Sequence, residues 1–359
     1  MKPKPKRLRG VLLLTPVLVG LTVFFLFRLP AWRRFELITY DWRMKKTGPK
    51  PVSGNVVIVF IGDETLKLLG RWPLPRNWYA SLTEVLKAWG ARVVAYDILF
   101  LEESGDRVAD RQFGEAVTRA GNVIHSCYFQ GEIATRRGVL SGEHLLLPPE
   151  VLGQATAIGF VNTPPDDDGI TRRYPFFANH QGRLIPSLGL AILKEYYQLP
   201  GSAIKMGNSH TLTVTVKGQP HLIPVDQTGS AWLTIYPDLK MFPHYAMVQV
   251  LQSYAAWSRG KKSSLSPEAF TDKIVLVAHT AAGTTDIGPV AGRERYLKVG
   301  LHASFLESFF HDDFIRPAGT SISLMAPVCG ALAAAGAAAA FPPLVGFIFT
   351  CLLGCLFIL

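Results

Sequence analysis

The chain has 359 residues, 48% hydrophobic and 18% charged, with 37 Lys/Arg against 27 Asp/Glu and a formal net charge of +10. Its cations crowd around an N-terminal apolar run and form no stripe interleaved with aromatics, which excludes a nucleic-acid surface. Of four cysteines only Cys127 lies outside the apolar C-terminal tail, which excludes an intradomain disulfide or a cysteine-ligated zinc.

Residues 1–10 form a basic head carrying Lys2, Lys4, Lys6, Arg7 and Arg9. Val11–Phe27 follows without a charge, and extended to Leu29 it reaches the roughly 20 residues that cross about 30 Å of hydrocarbon. No small-residue cleavage site follows Phe27, so residues 11–29 are expected to be an uncleaved anchor rather than a signal peptide. Further cations (Arg28, Arg33, Arg34, Arg43, Lys45 and Lys46) lie beyond the run, and the short head is the better guide to orientation. It predicts a cytoplasmic N-terminus and a domain outside, with Trp32 and Phe35 at the interface.

Asn55–Ile61 (NVVIVFI) is a continuous β-branched run, the pattern of a strand buried on both faces. A helix is predicted from Asn77 to about Trp89, a second buried strand over Arg92–Ile98, a helix over Asp110–Arg119 closed by Gly121, and a third strand over Asn122–Phe129. Such alternation predicts βαβ crossovers and a parallel sheet. The middle changes character: Ala157–Asn162, the Asp166–Gly169 turn and Ile170–Ala178 predict a hairpin, Leu188–Gln198 a helix, and Thr211–Val216 with Trp232–Tyr236 antiparallel strands. Lys273–Ala278 (KIVLVA) returns to a buried strand, ahead of a helix over His302–Phe310.

No charged residue occurs from Thr320 to Leu359. Residues 320–341 have the length of a span, Pro342-Pro343 breaks it, and 344–359 read as a second, incomplete span, so a fragment of a longer protein is expected. Gly330 and Gly336 among alanines would permit close helix packing and a homodimer. The expected class is α/β, a mostly parallel central sheet with an antiparallel middle section, flanked by transmembrane helices.

In open parallel sheets ligands gather outside the carboxyl ends of the strands. Asp63 follows the first strand, Asp97 closes the second, Thr280 opens the loop after the last, Asp286 ends that loop and His302 begins the final helix. Arg71, in the stiff Arg71-Trp72-Pro73-Leu74-Pro75-Arg76 loop, could add a fixed cation. These six residues form the candidate ligand site; the competing reading is that Asp63 and Asp97 cap helices or brace turns. No G-x-S-x-G, H-E-x-x-H or P-loop occurs, and Asp166-Asp167-Asp168-Gly169 lacks the bidentate Glu of a calcium loop. Neither a catalytic group, a metal nor a cofactor is expected.

The ordered set Tyr40-Asp41-Trp42-Arg43, VVIVFIGDETL, GRWPLPRNWYASL, ARVVAYDILF, GFVNTPPDDDGITRRYP, KIVLVAHTAAGTTD, VGLHASFLESFF and FIRP resembles the CHASE2 family of extracytoplasmic sensory domains in bacterial receptors. The resemblance covers Phe35–Pro317 and places the sensory domain within residues 30–319. It implies one N-terminal span, several C-terminal ones and a cytoplasmic output such as a cyclase or kinase, which this chain lacks. It also marks His279 as a departure, since the family usually has glycine after this strand. The expected function is therefore a non-enzymatic, membrane-anchored sensor in the cytoplasmic membrane. It would bind a small molecule or peptide outside and signal through a separate output protein. The alternative is a membrane-tethered structural or protein-interaction platform.

Overall fold

The computed structural model describes residues 30–46, 51–316 apart from 132, 137–138, 208–209 and 284–285, the helix 320–340, and single positions at 18, 21–22, 25, 342, 345 and 348. It divides into two compact units, residues 48–315 and the two flanks 1–47 and 316–359.

The larger unit is built on a seven-stranded sheet. Its order runs His244–Ala246, Val56–Ile61, Ile274–His279, Val93–Asp97, Val123–Gln130, with Ala157–Phe160 and the short His144–Leu146 both on the last of these. All pairings are parallel except that of His144–Leu146. The three central strands are buried along almost their whole length, which is why their sequences show unbroken apolar runs.

Side chains alternate across the pleat and sort the strands' residues into two layers. Val57, Val59, Ile61, Val94, Tyr96, Val275 and Val277 pack into one core with the helices Arg76–Ala88, Arg107–Ala120 and Met247–Trp257. The intervening positions, ending at Asp97 and Ala278, face the helices Leu188–Tyr196 and Val299–Phe310. Four smaller sheets, antiparallel except for the pairing of Val139–Ser141 with Phe177–His180, accompany it among the described residues, one of them the meander Ile204–Gly207, Thr211–Val216, Gln219–Pro224. The mixed architecture, parallel at the centre and antiparallel in the middle of the chain, is the expected one.

Several boundaries move for local reasons. The helix placed after Asn77 begins at Arg76, because Pro75 (φ −53°) already sets the turn. The helix at Arg107 begins earlier than its apolar pattern, since the Asp106 carboxylate accepts from the N–H groups of Val108 and Ala109. Val299–Phe310 likewise starts three residues before His302.

The hairpin expected over 157–178 does not form. The Asp166 turn exists, closed by Gly169 N–H to Asp166 C=O (2.8 Å). Its flanks pair elsewhere: Ala157–Phe160 with Val123–Gln130, and Arg173–Pro175 with Ser230–Trp232. The turn is held from inside instead. Arg172, fully buried, donates to Asp166 Oδ2 (2.9 Å) and to both oxygens of Asp168, while Arg173 bridges Asp166 and Asp226. Thr171 bridges Val290, tying this network to the Ile287–Val290/Arg293–Leu297 hairpin.

The smaller unit contains helices Pro30–Lys46 and Thr320–Ala340. The second has 21 residues and no charged side chain, but it contains Pro327, and alanine and glycine make up much of its length. Among the described residues no helix is long and apolar enough to cross a membrane. The flanking spans expected from the sequence are thus not found there, and 11–29 and 344–359 fall largely outside the described residues.

Candidate functional site

The carboxyl ends of the three central strands lie level. Ile61 is opposite His279 and Ala278 is opposite Asp97. Past this edge the chain makes two tied loops: Thr280 N–H donates to Ile61 C=O (3.0 Å), and Ala282 N–H donates to Asp63 Oδ1 (2.9 Å). Asp63, exposed in the first turn of the Asp63–Leu69 helix, therefore braces the neighbouring loop.

Alternation then splits the six candidate residues. Asp97 belongs to the face covered by Val299–Phe310, and it meets His302 there, Oδ1 to Nε2 3.7 Å. His302 is 2% exposed and the Asp97 side chain 7%. His279 points to the opposite face with Ile61 and stacks on Trp72, ring centroids 3.7 Å apart at 14°. Arg71, one residue from Trp72, is exposed. The structure therefore brings Asp97, Asp286 and His302 together on the face opposite the His279–Trp72 stack, because one residue along a strand reverses the direction of a side chain.

A short hydrogen-bond chain continues from His302. Gly189 N–H donates to the Tyr174 hydroxyl oxygen (2.9 Å), and that hydroxyl meets His302 Nδ1 at 2.6 Å. With one lone pair taken by Gly189, the hydroxyl keeps a proton and a second lone pair, so it donates to or accepts from Nδ1 according to the ring tautomer, and Nε2 is the nitrogen on the side of Asp97. The geometry demands close packing. Tyr174 stacks on Phe305 (4.8 Å, 4°), and a Cβ on Gly189 would stand 2.4 Å from Phe305 Cδ1 and 2.8 Å from the Tyr174 hydroxyl.

Electrostatics follow from burial. Burial pushes the Asp97 carboxyl up to about 7 against the pull of the Lys298 ammonium. Burial and then the neighbouring Asp97 push Asp286 up to about 6, with Lys298 and His302 opposing. The His302 imidazole is driven down to about 4 by burial, with Asp286 pulling the other way. The 3.7 Å approach of His302 to Asp97 would suit an ion pair, but burial dominates, and the two are neutral partners between those values. Asp97 Oδ2 is buried with no hydrogen-bond partner among the described residues. Among those residues no group of three His, Cys, Asp or Glu side chains is arranged to hold a metal ion.

Tyr174, Gly189 and Lys298 escaped sequence reasoning. Tyr174 sits in the TRRYP stretch, whose only sequence signal was its place in an expected hairpin, and Lys298 lies one residue before a helix that sequence reasoning began later.

A comparison with protein-family models matches the CHASE2 domain over residues 18–341, nearly the whole chain. The chain belongs to the CHASE2 family, which comprises extracytoplasmic sensory domains of membrane receptors. Comparisons with curated proteins and with solved structures gave no match.

Proposed function

We propose that this chain is the input portion of a membrane receptor, binding a ligand outside the cytoplasmic membrane and passing the event to a cytoplasmic output. The observation that carries the reading is Asp97: a nearly buried carboxyl with one oxygen unpartnered among the described residues, at the carboxyl end of a central parallel strand, facing His302. In a sensory family this is a group held ready for a partner. Two neighbouring carboxyls, Asp97 and Asp286, favour a neutral or cationic ligand and oppose an anionic one. The role is binding rather than catalysis, since His302 is sealed and held by Tyr174 rather than presented to solvent.

The apolar runs 11–29, charge-free up to Arg28, and 320–341 and 344–359 serve as the anchors and the route for the signal. A ligand that prefers one packing of the Val299–Phe310 helix shifts the population of states, and the chain following that helix carries the shift onward.

A thermal-shift screen of the full chain in detergent, against amines and neutral polar metabolites, tests the site. Compounds that raise the Tm of the wild type but not of Asp97→Asn or His302→Gln support it. Compounds that act equally on all three place binding elsewhere. Absence of any ligand effect together with a defined protein partner recovered by crosslinking would favour the interaction-platform reading.

A further inference from the structure

The helix Pro30–Lys46 has two apolar faces. One is internal, with Leu37 and Tyr40 buried. On the other, Phe35, Ile38 and Trp42 remain 43%, 63% and 47% exposed. At 3.6 residues per turn these three fall within about 60° of one another, opposite Leu37 and Tyr40. Cations border the stripe. Arg34 and Lys45 project on one side and Arg43 on the other, and the Lys46 ammonium lies over the Trp42 ring, 4.9 Å from its centroid.

We propose that this face lies in the headgroup–acyl boundary of an anionic bilayer, with the three apolar side chains inserted and the bordering cations on lipid phosphates. Three observations select that occupant. A large-residue apolar stripe flanked on both sides by Lys and Arg is the pattern of a helix lying in a membrane interface. A tryptophan with a cation over its ring suits the same depth. The helix also follows directly on the charge-free run 11–27 and so starts where that run would leave the hydrocarbon. A second copy fits worse, because stripe-to-stripe pairing would bring Arg34, Arg43, Lys45 and Lys46 against their own kind, with only Glu36 and Asp41 to offset them. The inference rests on the bilayer anchoring proposed above.

The test uses the full chain with its four cysteines changed to serine and a single spin label at Ile38→Cys, Trp42→Cys or, as a polar control, Glu36→Cys. Each is reconstituted in vesicles of phosphatidylglycerol with phosphatidylcholine, and in phosphatidylcholine alone. Oxygen collisions exceeding those of a water-soluble nickel complex at 38 and 42, with the reverse at 36, are expected in the anionic vesicles, weakening in the neutral ones. Nickel access exceeding oxygen at 38 and 42 overturns the proposal, as does dipolar broadening between labels at 42, which would reveal a second copy. Equal insertion in both vesicle types overturns the anionic requirement. Carbonate extraction separates the two readings: a chain released at alkaline pH removes the anchor itself, whereas a retained chain with water-exposed labels removes only the interfacial helix.

Discussion

Tyr174 and His302, separated by 128 positions in the chain, meet hydroxyl to Nδ1 at 2.6 Å inside the larger unit. That contact joins the antiparallel middle of the chain to the last helix of the parallel sheet, and it holds the His302 ring with Nε2 toward Asp97. Tyr174→Phe leaves the Gly189 N–H and His302 Nδ1 buried without this partner. A loss of about 1–3 kcal/mol is expected in denaturant unfolding, with the m-value unchanged.

Asp97 makes stability pH-dependent in a defined direction. Its folded value, about 7, stands above its ordinary 3.8, so the carboxyl's contribution is complete at acid pH and is lost as pH rises through 7. Asp97→Asn removes this dependence. Unfolding curves from pH 4 to 8 are expected to show the wild type losing up to about 4 kcal/mol relative to the variant over that range. A constant difference would mean that Asp97 is not driven up by burial.

His302 acts with the opposite sign. Its folded value, about 4, lies below the ordinary 6.5, so its contribution is full above 6.5 and is lost as pH falls toward 4. His302→Gln should flatten the acid side of the stability profile, measured by Tm against pH, after subtraction of the Asp97→Asn effect. The His302 ring should titrate near 4 by NMR.

Gly189→Ala tests the tight packing behind the hydrogen-bond chain. Its new methyl meets Phe305 and the Tyr174 hydroxyl well inside contact distance, so about 1–3 kcal/mol of destabilisation is expected by chemical denaturation.

Arg172→Met leaves the Asp166 carboxylate partly uncompensated in the interior and should cost about 3–5 kcal/mol, much of it recovered in Arg172→Met/Asp166→Asn. Glu84→Gln, which breaks an ion pair to Arg119 with both side chains more than half exposed, should stay within about 1 kcal/mol by the same measurement.

The central sheet was legible because double-sided burial writes unbroken apolar runs into the chain, as at Val56–Ile61 and Ile274–His279. The place of Asp97 was legible for a related reason, as the polar residue that closes such a run, whereas His302 lies inside its helix rather than at the start. The hairpin over 157–178 misled because Asp166-Asp167-Asp168-Gly169 encodes its turn locally, while the partners of the flanking strands, Val123–Gln130 and Ser230–Trp232, are distant in the chain. The loop that carries Arg71 shows in its sequence no sign of which side of the pleat it reaches. Trp72 does reach His279, but on the face away from Asp97. Tyr174 carried no periodic signal, since a buried aromatic and a hydrogen-bonding one look alike in sequence.

The strand Ile274–His279 lies between Val56–Ile61 and Val93–Asp97, although some 180 residues separate it from the nearer of the two in the chain. During synthesis the first half of the unit therefore emerges with a vacant slot at its centre, and two strand edges wait unpaired until almost the whole unit has been made. Folding should be late, slow and dependent on long-range closure, leaving strand edges exposed until then. A holding factor at the exit, or a pause before residue 274, would bear more on yield than any single side chain of the surface.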